Sequence, residues 1–193
     1  MSKPAPVTLA LIIVCVVLYI PEALGVHIGG HEINYWLCVA NDSLSRPWEL
    51  VTAIFAHWSI EHLAMNMISL YWLGTMIEEA HGHVKFGIVF FVSGILGNLA
   101  VVLFADPNTV AAGASGSIFG LLGAAALLFF AFRQDPGIRS QLQGLLIMLA
   151  INVVNSFIPG ISMEAHFGGL AGGLICEAVI LGMDRDKLTV VRQ

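Results

Sequence analysis

The sequence predicts an all-α polytopic membrane protein, a bundle of six transmembrane helices forming a single domain over residues 1–193. Three observations carry this. The chain is 58% hydrophobic and only 11% charged, where a soluble domain carries roughly 25% charged residues. Its apolar residues gather into six runs, each near the roughly 20 residues that a helix needs to cross a bilayer. Of the eight lysines and arginines, all but one fall on the same side if six spans alternate.

The first run, 6–25, follows Lys3 and resembles a signal-peptide core. No small-residue cleavage site follows it, and Pro21 and Glu22 come next, so it reads as a retained span. Segment 26–56 mixes polar residues with Ile33, Tyr35, Trp36, Leu37 and Trp48, and is expected to rest partly in the membrane interface. The second span, 57–77, carries polar residues in its first half. The third, 84–104, and the fourth, 114–132, are long apolar runs. The fifth, 142–158, is short, and the sixth is 165–183. Lys3, Lys85, Arg133, Arg139, Arg185, Lys187 and Arg192 share one side and Arg46 takes the other. This predicts that both termini lie in the cytoplasm. The second, fourth and sixth spans then enter from the outer face.

The net charge of −5 and the lack of a basic patch give no sign of nucleic-acid binding. Cys15, Cys38 and Cys176 are scattered, with no disulfide framework and no CxxC metal pattern.

Polar side chains at membrane depth are costly and usually face the protein interior. Four stand out: His62 and Asn66 in the second span, Ser115 at the start of the fourth, and His166 at the start of the sixth. All three spans enter from outside, so all four residues share the outer half of the membrane. His62 and Asn66, four apart, point the same way, as do Ser115 and Phe119. Gly116, Gly120 and Gly123 form a stripe on the fourth span, and His166, Gly169 and Gly173 one on the sixth. Small residues at such spacing let helix backbones approach closely. The two spans are expected to pack there, with Ser115 facing His166.

That pairing permits nucleophilic acyl transfer. A serine hydroxyl becomes a nucleophile when a neighbouring base takes its proton. His166 is the candidate base, and later the acid for the leaving amine. Asn66, His62 and the Ser115 backbone N–H are candidate oxyanion donors. No aspartate or glutamate is placed to orient His166, so a Ser–His dyad is expected, with Phe119 packed against the imidazole. Taken singly, a serine among glycines is a packing residue and a membrane histidine a buried hydrogen-bond partner. Two other motifs fail on spacing. The G-x-S-x-G elbow would need glycine where Ser117 stands. "HWSIEH" has one residue too many for H-x-x-E-H, and His57 and His62 would lie about 140° apart on a helix.

These residues resemble the rhomboid family of intramembrane serine proteases, from Trp48 to Gly173. "GASG" (113–116) is similar to the family's G-x-S-G, and "AHFGGLAGG" (165–173) to its A-H-x-x-G-x-x-x-G. "HWSIEHLAMN" (57–66) is similar to H-x(4)-H-x(3)-N, and "GTMIEE" (74–79) to G-x-x-x-E. The resemblance implies Ser115 as nucleophile, His166 as base, and His62 and Asn66 on the oxyanion side. Gly113, Gly116, Gly169 and Gly173 match its motif glycines, with His57 as a structural histidine and Glu78 as a structural acid. It implies a six-helix rhomboid-like bundle that cleaves membrane-anchored proteins near the outer leaflet. The implied partners are transmembrane protein substrates and membrane lipid, with no cofactor, no metal and no nucleic acid. The expected location is a bacterial inner membrane. Two positions depart from the family. Trp48 is followed by Glu49 where the family carries Trp-Arg, leaving Arg46 to supply those contacts, and Phe119 stands where the family often has Tyr. The alternatives are an inactive relative that binds membrane clients, and a small transporter. A transporter would need polar residues at the midplane or through the inner half.

Overall fold

A computed structural model describes residues 5–183. Lys3, Arg185, Lys187 and Arg192, on which the predicted orientation partly rests, lie outside the described residues. The architecture is mostly helical. In chain order it contains α1 (Pro6–Ala23), β1 (His27–Ile28), β2 (His31–Glu32), β3 (Val39–Ala40), α2 (Glu49–Thr52), α3 (Ile60–His81), α4 (His83–Phe104), β4 (Val110–Ala111), α5 (Ser115–Ala131), α6 (Pro136–Asn155) and α7 (Met163–Met183). Four helices, α1, α4, α6 and α7, are long and apolar enough to cross a membrane. The chain is an integral membrane protein. α3 has the length, at 22 residues, but carries Glu61, Glu78 and Glu79. α5 is apolar but has 17 residues.

Two predicted helix starts move by about a turn or more, each because of a cap. The second span was expected from 57, but the helix begins at Ile60. Ser59 has extended backbone, and its side chain accepts the N–H of His62, an N-cap that starts the helix after it. His57 is therefore outside the helix. The fifth span was expected from 142 because 136–141 are mostly polar. Asp135 accepts the N–H groups of Gly137 and Ile138, and Pro136 occupies the first helical position. This pair starts α6 six residues earlier than its apolar run.

Gly82 separates α3 from α4 with φ of +80°. That conformation suits glycine, and it lets two 22-residue helices join through one residue. α5 is the central helix, and every residue from Gly116 to Ala126 is buried. It packs with α4 and α7 into the tightest part of the bundle, while α6 packs mainly against α5 and buries only Leu142 and Leu145. α1 docks on α3 through a carboxylate. Glu78 accepts the backbone N–H of Val7 at 2.9 Å and of Thr8 at 2.8 Å, and the Thr8 hydroxyl at 2.6 Å. It thereby caps the first turn of α1, where N–H groups lack intrahelical partners. His83 Nδ1 donates to the same carboxylate at 2.6 Å. The buried Glu177 of α7 accepts from His81 at 2.9 Å.

The segment between α1 and α3 is built rather than loose. β1 pairs with β2, and β3 pairs antiparallel with β4, the strand that leads into α5. Glu49, 2% exposed, bonds the Ser43 hydroxyl and meets Arg46 Nε at 3.0 Å. Arg46 also reaches Asp42 at 2.9 Å. The carboxylate standing after Trp48 is thus satisfied by local partners, one of them the arginine expected to serve this loop.

Candidate active site

Ser115, His166, His62, Asn66, Phe119 and Gly113 line one open cavity of about 960 Å³. Ser115 heads α5, His166 lies in the first turn of α7, and His62 and Asn66 lie one turn apart on α3. Three helix beginnings thus meet around one cavity.

Local bonds fix each beginning. Gly113 donates its N–H to Ala53 O at 2.8 Å, which ties the approach to α5 onto the loop ahead of α3. Its φ is +129°, and a Cβ there would stand 2.8 Å from the His62 ring. Both the turn and the approach of His62 therefore require glycine. Ser162 caps α7, its hydroxyl accepting the Ala165 N–H at 3.3 Å. The Ala165 carbonyl, one residue before His166, wedges between α4 and α5. A Cβ on Gly97 would lie 2.6 Å from it, and one on Gly116 3.1 Å.

The seam between α5 and α7 follows the glycines. A Cβ on Gly169 would collide with the Gly116 backbone, and one on Gly173 with that of Gly120. Sequence reasoning missed the second face of α7. Gly168 and Gly172 pack against α4, with a Cβ on Gly168 falling 2.7 Å from Leu96 O. The doubled glycines of "GGLAGG" were the available sign, since one stripe needs only one of each pair.

Phe119 stacks on the imidazole of His166, with centroids 4.0 Å apart and planes within 16°. His166 is 8% exposed. Asn66 is buried, and one proton of its amide donates to His62 O at 3.0 Å. Ser115 stands at the start of α5, where backbone N–H groups have no helical carbonyl to meet. Ser117 is fully buried and turned towards Gly94 of α4, away from the cavity.

His57 corrects the helical-face argument. It lies in the loop before α3, and its ring sits 5.1 Å from that of His62. The 140° separation assumed a helix that has not yet begun at residue 57. His57 Nδ1 donates to Phe55 O at 3.1 Å, and its own carbonyl accepts from Asn34 at 2.8 Å. Glu78 lies at the other end of α3 and takes no part in the cavity.

One residue of the site went unpredicted. Ser156, 1% exposed and at the C-terminal end of α6, places its Oγ 2.7 Å from His166 Nδ1. In the sequence it marks the fading end of an apolar run, and nothing there points across to α7.

Residues 44–183 match the sequence profile of the Rhomboid domain. The chain is 35% identical over 135 residues to the rhomboid protease GluP of Bacillus subtilis (strain 168), covering 69% of this chain and 26% of that protein. It is 35% identical over 143 residues to YdcA of the same bacterium, covering 74% of this chain and 70% of that one. RHOMBOID-like protein 4 of Arabidopsis thaliana is 31% identical over 135 residues, covering 69% of this chain and 34% of the plant protein. The match thus spans about a quarter to a third of the length of GluP and of the plant relative.

Proposed function

This chain belongs to the rhomboid family, and on that premise we propose that it is an intramembrane serine endopeptidase acting on membrane-anchored proteins. Six spans, α1 and α3 to α7, cross a bacterial inner membrane with both termini in the cytoplasm. The cavity then opens in the outer half. The observation that carries the reading is the shared cavity itself. A serine at a helix start, an imidazole stacked on Phe119, and two polar side chains of α3 converge there.

In this reading the Ser115 hydroxyl attacks the scissile carbonyl while His166 takes its proton. His166 Nδ1 is engaged by Ser156, so Nε2 is the atom that accepts. Negative charge builds on the carbonyl oxygen. The Ser115 N–H, the second amide proton of Asn66 and the His62 ring N–H are its donors. The tetrahedral intermediate collapses, His166 returns the proton to the departing amine, and an ester remains on Ser115. Water, deprotonated by His166, then hydrolyses the ester and regenerates the hydroxyl.

The test is cleavage of a single-span protein by the purified chain in detergent and in liposomes. Wild type is expected to cut and to be labelled at Ser115 by a fluorophosphonate. His166→Ala is expected to do neither. Full cleavage by His166→Ala, or labelling at another serine, would overturn the reading.

A further inference from the structure

A neutral imidazole carries one proton on two nitrogens, so a base at Nε2 must hold that proton on Nδ1. Among the described residues no carboxylate bonds His166. Phe119 fixes the plane of the ring but, being apolar, does not choose between the nitrogens.

The choice falls to Ser156. Its Oγ makes two close contacts, His166 Nδ1 at 2.7 Å and Asn152 O at 2.9 Å. A hydroxyl has one proton to give and two lone pairs to receive with. The Asn152 carbonyl only accepts, so serving both contacts sends the hydroxyl proton to Asn152. The Oγ lone pair is then left for an N–H at Nδ1. The group is almost fully buried, where leaving a polar atom unpaired is costly. We propose that Ser156 is a positioning residue that holds His166 as the Nδ1–H tautomer and frees Nε2 for the Ser115 proton. The proposal rests on the Ser115–His166 reading above.

The hydroxyl does part of what an aspartate does in a triad. It sets the tautomer and the ring rotation, but it offers the imidazolium a dipole rather than a full charge. The bond also ties the end of α6 to the start of α7, although α6 otherwise packs mainly on α5. The position of α6 is thereby coupled to the protonation pattern of the base.

The experiment uses the full chain in micelles with 15N-labelled histidine, the His166 signals being assigned by difference against His166→Gln. In the unmodified protein, Nδ1 is expected to show a protonated-type shift and Nε2 an unprotonated one. Protonation at Nε2 would overturn the proposal without any change at Ser156. Ser156→Ala is expected to lose the defined tautomer and to lower kcat roughly ten- to hundred-fold with KM little changed, the scale typical of partners that orient a functional histidine. Ser156→Thr keeps the hydroxyl and is expected to restore both signals and rate. A Ser156→Ala protein with wild-type kcat and unchanged 15N signals overturns the role of Ser156 alone. Cleavage that survives in His166→Ala removes the underlying dyad instead, so the two failures are distinguishable.

Discussion

Removing a single oxygen is the sharpest probe at the residue scale. Ser115→Ala deletes a half-buried hydroxyl that caps nothing. It is expected to abolish cleavage while the melting temperature stays at the wild-type value. Ser117 offers no substitute, since it is buried against α4. Residual turnover in pure Ser115→Ala protein would refute the assignment. Asn66→Ala tests a different quantity. Its free amide proton acts on charge that appears mainly in the transition state, so kcat is expected to fall about 100-fold with little change in KM. A steady-state titration separates the two, and a pure KM effect would make Asn66 a binding residue. Most of the residues that line this cavity were legible in the sequence, because polar residues within apolar helices are costly to bury unless they meet one another. The misreading and the omission share a cause. His57 was judged by helical geometry before its helix begins, and Ser156 meets His166 across the turn between two helices. Periodicity describes faces within a helix and is silent about contacts between a helix end and its neighbour's start.

Backbone approach decides what the helices can do as elements. Gly169→Val places a branched side chain where the Gly116 backbone lies. α5 and α7 must then separate, and a displacement of about 1 Å can cost 100-fold in rate. The expected protein is folded, nearly inactive and less thermostable, as shown by paired activity and melting curves. Full activity at full stability would mean that the seam is not needed. Glu78 anchors the opposite end of the bundle and separates stability from chemistry. Glu78→Ala leaves the N–H groups of Val7 and Thr8 and the Thr8 hydroxyl without their acceptor. A loss on the order of 2–3 kcal/mol is expected, the scale of hydrogen bonds to a charged group. Glu78→Gln, which keeps one acceptor oxygen, should lose less. Denaturant titration measures both, and activity per folded molecule should change far less than in Gly169→Val. The glycine stripes were readable from spacing. The start of α6 was not, because Asp135 and Pro136 launch it through a polar stretch that apolar counting skips.

The molecule as a whole has a firm centre and looser flanks. α4, α5 and α7 interlock through glycines on three helices, whereas α6 buries two side chains and α1 three. Local opening is governed by buried contact. Hydrogen exchange in micelles is therefore expected to reach the α6 amides well before those of α5, with Ser156 and its neighbours slower than the middle of α6. Uniform exchange across the bundle would contradict this ranking. The paired strands β3 and β4 were not foreseen, since two-residue strands leave no alternation to read, yet they join the loop before α3 to the approach to α5. The Glu78 clamp reaches further, to the order in which the protein is made. Its bonds join residues 70 and 71 positions apart. At a synthesis rate of about 5–20 residues per second, roughly 4–14 seconds pass between the emergence of Thr8 and that of Glu78. Through that interval the leading amides of the first helix lack the acceptor they have in the folded bundle. Its docking on α3 through Glu78 can form only once that carboxylate has been made.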